Sequence, residues 1–175
     1  MMESVHTPYN ECIRLLIANI KLDPGFAAFF HWSLANNIPI VVLSSGMVPI
    51  IRALLAHMIG PEAEKIQIVA NHVQYKDGKG PDDEDAWELV FQHPESGFGH
   101  DKSKTIRPYA QLPEGERPVL FYAGDGVSDL SAARETDLLF AKKGMDLVTY
   151  CVREEVPFTL FEDWSDIEKK VKEVV

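Results

Sequence analysis

The sequence predicts an α/β fold in which a mainly parallel β-sheet is flanked by helices. Two continuous apolar segments, residues 38–46 and 118–126, are rich in Val, Ile, Leu, Phe and Tyr and have the length of strands. Each is followed by a segment whose apolar residues have helical spacing. Strands that alternate with helices in this way are typical of parallel sheets with helices on their faces.

Two amphipathic helices are predicted before the first of these strands. Thr7-Pro8 has the residue types of an N-cap followed by a first helical turn. The apolar stripe of this helix consists of Ile13, Leu16, Ile17 and Ile20. Asp23-Pro24 repeats the start signal, and the second helix is predicted to end near Asn36-Asn37. Its apolar residues are Phe26, Phe29, Phe30 and Leu34.

The central part of the chain begins with the first strand. Residues 38–46 read IPIVVLSSG, a continuous run of the kind found in strands that are buried on both faces. Pro49 then lies in the first turn of a helix that Gly60-Pro61 ends. Residues 66–93 contain two strand-like segments around a polar, acidic stretch, which indicates either a hairpin or two separate short strands.

The second half of the chain continues the alternation. A helix is predicted within residues 101–112, the second long strand lies at 118–126, and another helix begins at Leu130. A short apolar stretch follows at Leu138–Ala141. The last helix is predicted to begin at Ser165. Its apolar face consists of Ile167, Val171 and Val174.

Composition and charge limit the classes of function. The 175 residues are 46% hydrophobic and 25% charged, which is ordinary for one globular domain. The net charge of −10 would repel a nucleic-acid backbone or an anionic membrane, but it is compatible with a small anion bound beside a metal. No segment has the pattern of a membrane span or a signal peptide, and Cys12 and Cys151 form no CxxC pair. We expect a cytoplasmic protein with no nucleic-acid or membrane partner.

The glycine-bracketed turn after the second strand is the first candidate site. It reads AGDGVSD and carries Asp125 and Asp129, four residues apart. A pyrophosphate would be repelled by an acid at the third position of this turn, whereas two carboxylates at the carboxyl end of a strand suit Mg²⁺. The alternative is a tight turn in which Asp129 only caps a helix over Leu130–Glu135.

The end of the first strand offers complementary chemistry. Ser44-Ser45-Gly46 provides hydroxyl groups and a backbone N–H at the start of a helix, and these are donors that a phosphate needs. Lys102 begins another predicted helix and could bring an ammonium group to the same edge of the sheet. We therefore expect Ser45, Lys102, Asp125 and Asp129 to converge in one crevice at the carboxyl ends of the strands.

These three segments resemble the motifs of the haloacid dehalogenase (HAD) superfamily, and within it the phosphoserine-phosphatase-like branch. The motifs are Ser45-Gly46, Lys102-Ser103 and the Gly-Asp-Gly-x-Ser-Asp sequence from Gly124 to Asp129, in that order. The resemblance implies a Rossmann-like core and a Mg²⁺-dependent phosphatase of small cytosolic phosphomonoesters. It also implies that Ser45, Gly46 and Lys102 bind phosphate, that Asp125 coordinates Mg²⁺, and that Asp129 supports the metal shell.

The first motif of the superfamily, Asp-x-Asp-x-Thr, which carries the nucleophilic aspartate, does not occur in the sequence. Asp83-Glu84-Asp85 has part of the spacing but follows a polar loop, so we interpret it as solvated. By resemblance, the chain is expected to begin after this motif. Residues 1–22 would be a remnant of the helical cap and residues 23–175 the core, with a hairpin insertion around 66–93. The first strand and most of the cap would be missing.

Two functions remain open from the sequence. The first is a phosphomonoesterase of small phosphorylated metabolites whose nucleophile lies outside these residues, so that the chain alone has little or no activity. The second is a non-catalytic relative that uses its surface for binding or regulation. A sheet without its central strand would expose backbone groups, which favours self-association in either case.

Overall fold

The computed structural model describes residues 5–97 and 99–175 and shows alternating helices and strands. The helices are α1 (Tyr9–Asn19), α2 (Phe26–Ala35), α3 (Val48–Ile59), α4 (Lys102–Ala110), α5 (Leu130–Ala133), α6 (Asp146–Arg153) and α7 (Trp164–Lys172). The strands are β1 (Val41–Met47), β2 (Gln67–Tyr75), β3 (Trp87–Val90), β4 (Phe121–Gly124), β5 (Leu138–Lys142) and β6 (Thr159–Phe161). The α/β class that the sequence predicts is confirmed.

The chain forms two compact units, and neither is a continuous stretch of sequence. The first consists of the residues up to Leu22 together with Asn36–His100. The second consists of Asp23–Ala35 together with Asp101–Val175. The polypeptide therefore passes from one unit to the other three times. The division into a cap remnant at residues 1–22 and a core at 23–175 stays a prediction.

The first unit contains a three-stranded sheet in the order β1-β2-β3. β1 and β2 are parallel, with Val41 opposite Gln67, and α3 lies in the connection between them. β2 and β3 are antiparallel, with His72 opposite Val90. The acidic segment between these two strands is therefore the loop of a hairpin, which is one of the two arrangements that the sequence leaves open.

The core of the first unit explains how α1 begins. Tyr9, Ile50 and Trp87 form a buried cluster, and the indole Nε1 of Trp87 donates a hydrogen bond to the carbonyl of Thr7 at 3.0 Å. The predicted N-cap role of Thr7 is wrong, because Pro8 occupies the cap position and no side chain accepts a hydrogen bond there. The carbonyl of Thr7 instead ties the start of α1 to β3.

The second unit contains an entirely parallel sheet in the order β4-β5-β6. Gly124 lies opposite Ala141, so the glycine turn follows the end of β4 at the carboxyl edge of this sheet. The helix α6 covers β5 through Leu147 and Cys151, both of which are fully buried. On α2, Phe26 contacts the ring of Trp164 in α7 at a centroid distance of 4.9 Å.

The prediction that residues 38–46 form a strand buried on both faces is wrong, and the second long apolar segment is not a fully buried strand either. No residue of β1 is fully buried, and every residue of β4 is half-buried. Among the described residues β1 pairs only with β2, and β4 pairs only with β5, so both are edge strands. The buried strand is β5, whose Leu139, Phe140 and Ala141 are inaccessible, because it has a partner on each side.

Three short elements near the C-terminus differ from the sequence prediction. The helix predicted from Leu130 is only four residues long and follows a single 3₁₀ turn at Val127–Asp129. α6 and β6 were not predicted from the sequence. The last helix begins with an N-cap at Asp163, whose carboxylate accepts the Ser165 N–H at 2.8 Å. Within residues 5–97 and 99–175, the helices lack the length and hydropathy needed to cross a bilayer.

Candidate functional site

The turn after β4 folds the Asp129 side chain back over the end of the strand. The polypeptide leaves β4 at Gly124, makes one 3₁₀ turn and enters α5. A Cβ atom on Gly124 would lie 2.6 Å from Cγ of Asp129, which is closer than real Cβ contacts. Glycine is therefore required at position 124 because the carboxylate occupies the space that any side chain would need.

Asp129 is the centre of a buried hydrogen-bond cluster. Its residue is 3% exposed, and its Oδ2 accepts the backbone N–H groups of Asp125 and Gly126, each at 2.9 Å. Its Oδ1 accepts the hydroxyl of Tyr122 at 2.6 Å and also the ammonium of Lys102. These four donors equal in number the lone-pair sites of a carboxylate, so in this arrangement no lone pair of Asp129 remains for a direct metal bond.

This arrangement rules out the alternative in which Asp129 only caps the following helix. Asp129 does occupy the cap position of α5, but its side chain makes no capping hydrogen bond there. It instead organises the turn that precedes it.

The electrostatics of the cluster follow from burial and from Lys102. Burial alone would raise the pKa of Asp129, but the Lys102 ammonium and the hydrogen bonds from Lys102, Tyr122 and Gly126 outweigh it, so this pKa lies below its usual value. Burial raises the pKa of Tyr122, and the neighbouring Asp129 charge raises it further. Tyr122 is therefore a neutral donor and Asp129 an anion over the physiological range.

Lys102 is held in place by the helix that it begins. Asp101 caps α4 and accepts the N–H of Ser103 at 3.0 Å. Lys102 is 7% exposed, and its ammonium contacts Asp129 and, at 3.3 Å, the hydroxyl of Ser128. An ammonium has three N–H donors, and two of them have partners among the described residues, so one donor remains for an anion such as phosphate.

Asp125 differs from Asp129 in its surroundings. It is exposed, and its carboxylate has no hydrogen-bond partner in the described parts of the chain. Its backbone is fixed, because its carbonyl accepts the N–H of Leu147 at 2.9 Å. The oxygens of Asp125 fit one position in a Mg²⁺ shell, but residues 5–97 and 99–175 contain no group of three acidic, His or Cys side chains that could hold a metal. Further oxygen ligands would have to come from water, a phosphate or another protein segment.

Ser45 and Gly46 lie in the first unit, at the end of β1. Ser45 is exposed, and its hydroxyl has no partner within the described ranges. The N–H of Gly46, predicted to bind phosphate, is already donated to the Ser44 hydroxyl at 3.0 Å. The second unit brings Lys102, Asp125 and Asp129 together; their convergence with Ser45 stays a prediction.

Sequence reasoning overlooked Tyr122 and Ser128, which both contact the Lys102–Asp129 pair. Ser128 is the serine of the Gly-Asp-Gly-x-Ser-Asp motif, but the sequence pattern assigns it no role, and the structure shows that it contacts Lys102. Tyr122 belongs to an apolar strand two residues before Gly124, and the apolar pattern assigns no role to its hydroxyl. A buried tyrosine hydroxyl needs a hydrogen-bond partner, and that requirement is the signal that could have identified it.

Replacing Tyr122 by Phe is expected to raise the pKa of Asp129 and to destabilise the fold by about 2 kcal/mol. The reason is that a buried carboxylate loses one of four donors while the ring packing remains. The pKa of the Asp129 carboxyl can be followed by ¹³C NMR, and stability by urea unfolding. Tyr109→Phe is the matched control because Tyr109 is 43% exposed on α4, and it should change neither quantity. An unaltered Asp129 pKa in Tyr122→Phe would contradict the geometry.

Comparisons with known proteins agree with the motifs. The haloacid dehalogenase-like hydrolase family matches residues 1–134. The chain is 50% identical over 182 residues to "Polyol phosphate phosphatase PYP1" of Saccharomyces cerevisiae, covering 100% of this chain and 73% of that protein. It is 49% identical over 176 residues to "Pdp3-interacting factor 1" of Schizosaccharomyces pombe, covering 99% and 73% respectively.

A solved structure shares the fold at low sequence identity. A phosphoserine phosphatase from T. onnurineus superposes with a TM-score of 0.55 at 13% identity, over 94% of this chain and 66% of that one. The chain thus spans about two thirds of the solved protein, and this likeness concerns the fold alone. The family match over residues 1–134 and the relative at 50% identity show that this chain belongs to the haloacid dehalogenase-like hydrolases.

Proposed function

We propose that the chain carries the phosphate-binding and Mg²⁺-binding part of a phosphatase that acts on small phosphorylated metabolites. The observation that carries this proposal is the pairing of two different acids on one turn. Asp129 is buried and saturated by Lys102, Tyr122 and two backbone N–H groups, whereas Asp125 is exposed with open oxygens. Asp129 therefore holds the site together, and Asp125 is free to bind a metal ion.

Each residue has a distinct task in this proposal. Lys102 donates its remaining N–H to a phosphate oxygen and offsets charge that develops during transfer. Asp129 fixes the direction of that ammonium and the course of the Asp125 loop. Asp125 would hold Mg²⁺, which when bound neutralises phosphate charge. Ser45 would donate its hydroxyl to the phosphate, as the resemblance implies. An aspartate from an Asp-x-Asp-x-Thr segment, which is not among these residues, would attack phosphorus as the bond to the leaving alcohol breaks. The second aspartate of that segment would give the alcohol its proton, and water would then hydrolyse the aspartyl-phosphate to release phosphate.

The name of one relative supports a proposal for the substrate class. A relative that is 50% identical across the whole chain is named for polyol phosphates, so we propose a small phosphorylated polyhydroxy compound as the substrate. A cytoplasmic location is part of the proposal, because Cys12 and Cys151 are both free thiols, which suits a reducing compartment. Self-association through the open edges of β1 and β4 also stays a proposal. No observation within the described residues favours the non-catalytic alternative.

Inorganic phosphate is expected to bind the chain weakly, and more tightly when Mg²⁺ is added. Asp125→Asn should remove the effect of Mg²⁺ but keep the Mg²⁺-independent binding, because Lys102 and Ser45 remain. Titrations followed by ³¹P NMR measure both affinities. Asp77→Asn is the matched control, since Asp77 is an exposed aspartate of the hairpin loop. Failure of the unaltered chain to bind phosphate under either condition would refute the proposed site, as would a Mg²⁺ effect that survives in Asp125→Asn.

A further inference from the structure

The end of β1 is not held by a regular strand ladder. Residues Val41 to Leu43 pair in register with β2, but the register shifts between Leu43 and Met47. The carbonyl groups of Ser44 and Ser45 lie within this irregular segment. Buried or half-buried carbonyls require hydrogen-bond donors, and an irregular strand end must obtain them from elsewhere.

Asn71 supplies the donor for Ser45. It lies on β2, is 1% exposed, and its amide Nδ2 donates to the carbonyl of Ser45 at 2.8 Å. Its Oδ1 accepts the backbone N–H of Gln92, also at 2.8 Å. The two partners fix the orientation of the amide, because one can only accept and the other can only donate. Asn71 therefore links the Ser45 backbone rigidly to β2 and to the segment after β3.

His100 supplies the donor for Ser44. It is 1% exposed, and its Nδ1 lies 2.9 Å from the carbonyl of Ser44. Because a carbonyl only accepts, Nδ1 must carry the proton. The preceding residue, Gly99, has a φ of +72°, and a Cβ there would lie 2.2 Å from the ring of Phe91. Glycine at this position lets the backbone pack against Phe91 and delivers His100 to the Ser44 carbonyl.

We propose that Asn71 and His100 are positioning residues for Ser45, acting through the carbonyls of Ser44 and Ser45; the proposal rests on the proposed function. Two buried polar side chains from separate segments, 26 and 56 residues away from their partners, converge on one dipeptide. Their combined effect is to fix the backbone from which the exposed Ser45 hydroxyl projects. Because the backbone is already fixed, less conformational freedom is lost when that hydroxyl binds a phosphate.

The test measures the affinity of the chain for inorganic phosphate by ³¹P NMR in a set of variants. His100→Leu and Asn71→Leu are each expected to weaken binding by about tenfold, since the Ser45 backbone loses a buried hydrogen bond. His100→Asn should remain within about twofold of the unaltered chain, because its amide nitrogen takes the place of Nδ1. His57→Leu, an exposed histidine of α3, is the matched control and should have no effect.

A double-mutant cycle separates positioning from general damage. Ser45→Ala removes the hydroxyl that Asn71 and His100 are proposed to position, so adding His100→Leu to it should weaken binding no further. The ¹⁵N spectrum of the unaltered chain should show His100 in the Nδ1–H form. The double-mutant cycle and the His100 spectrum support the proposal even if Asn71→Leu fails to fold. In that case His100→Leu is still compared with the conservative variant His100→Asn.

The outcomes separate this proposal from the one on which it rests. If the unaltered chain binds no phosphate, the proposed function fails and the positioning role falls with it. If it binds phosphate with the expected Asp125 dependence while His100→Leu and Asn71→Leu bind equally well, only the positioning role is wrong. It is equally wrong if His100→Leu weakens binding by the same factor with and without the Ser45 hydroxyl.

Discussion

Joining an Asp-x-Asp-x-Thr strand to the N-terminal side of these 175 residues is expected to produce Mg²⁺-dependent hydrolysis of an aryl phosphate. The chain without that strand should be slower by at least about 10³-fold, because removal of a covalent nucleophile costs several orders of magnitude in rate. In the proposed site, Lys102 and a Mg²⁺ held by Asp125 would bind phosphate and offset its charge, but Ser45 has no general base beside it in sequence. Steady-state kinetics with and without Mg²⁺ provide the measurement.

Two variants of the extended chain guard against contamination. Asp125→Asn should abolish the Mg²⁺-dependent activity, since it removes the exposed carboxylate of the turn. Asp77→Asn makes the same chemical change in the hairpin loop and should leave the rate unchanged. Turnover by the unextended chain at a comparable rate, lost in Asp125→Asn, would show that another residue is the nucleophile.

Lys102→Met is expected to cost about 3–5 kcal/mol of unfolding free energy, because it leaves the buried Asp129 carboxylate without its cation. The pKa of Asp129 lies below its usual value in the folded chain, so its contribution is present above about pH 4 and is lost as the pH falls through the lowered pKa. The difference between the two proteins should therefore be largest near neutral pH and shrink as the pH falls below about 4. Urea unfolding across this range measures it.

The double variant Lys102→Met/Asp129→Asn tests whether the cost arises from the unpaired charge. With no buried ion left, it should be more stable at neutral pH than Lys102→Met alone. Lys170→Met is the control, since the Lys170–Glu173 pair is exposed on both sides and its loss should change stability little. A Lys102→Met effect that is constant with pH would show that packing, and not the pair with Asp129, is responsible.

The sequence was sufficient to predict the site's shape in outline but not its internal contacts. Gly124-x-Gly126 and the two acids after a strand predicted a carboxylate-rich turn at a sheet edge, and the structure has it. The spacing did not show that Asp129 turns back over Gly124, because that depends on the absence of a Cβ and on donors from Lys102 and Tyr122. Tyr122 and Lys102 are 20 residues apart in the printed sequence, and no local pattern links them.

The edge positions of β1 and β4 could not be predicted for a similar reason. An apolar run indicates that a segment avoids water. The number of strands that pair with that segment depends on residues far away in the sequence. β6 spans only Thr159–Phe161 and is too short for a periodic signal. The segment of α6 does carry a periodic signal, since the buried Leu147 and Cys151 are four residues apart. The helix has only eight residues and lies between two loops, and no helix is predicted there from the sequence.

The interleaved order of the two units limits where this polypeptide can be divided. A cut after His100 gives two contiguous pieces, but the first piece retains α2, whose buried phenylalanines belong with α7 in the second. Simple truncation therefore leaves the apolar helix α2 on the fragment that lacks its packing partner. The exposed apolar face of α2 would then promote aggregation of that fragment. Isolating the second unit intact would require linking residues 23–35 to residue 101 by a new connection.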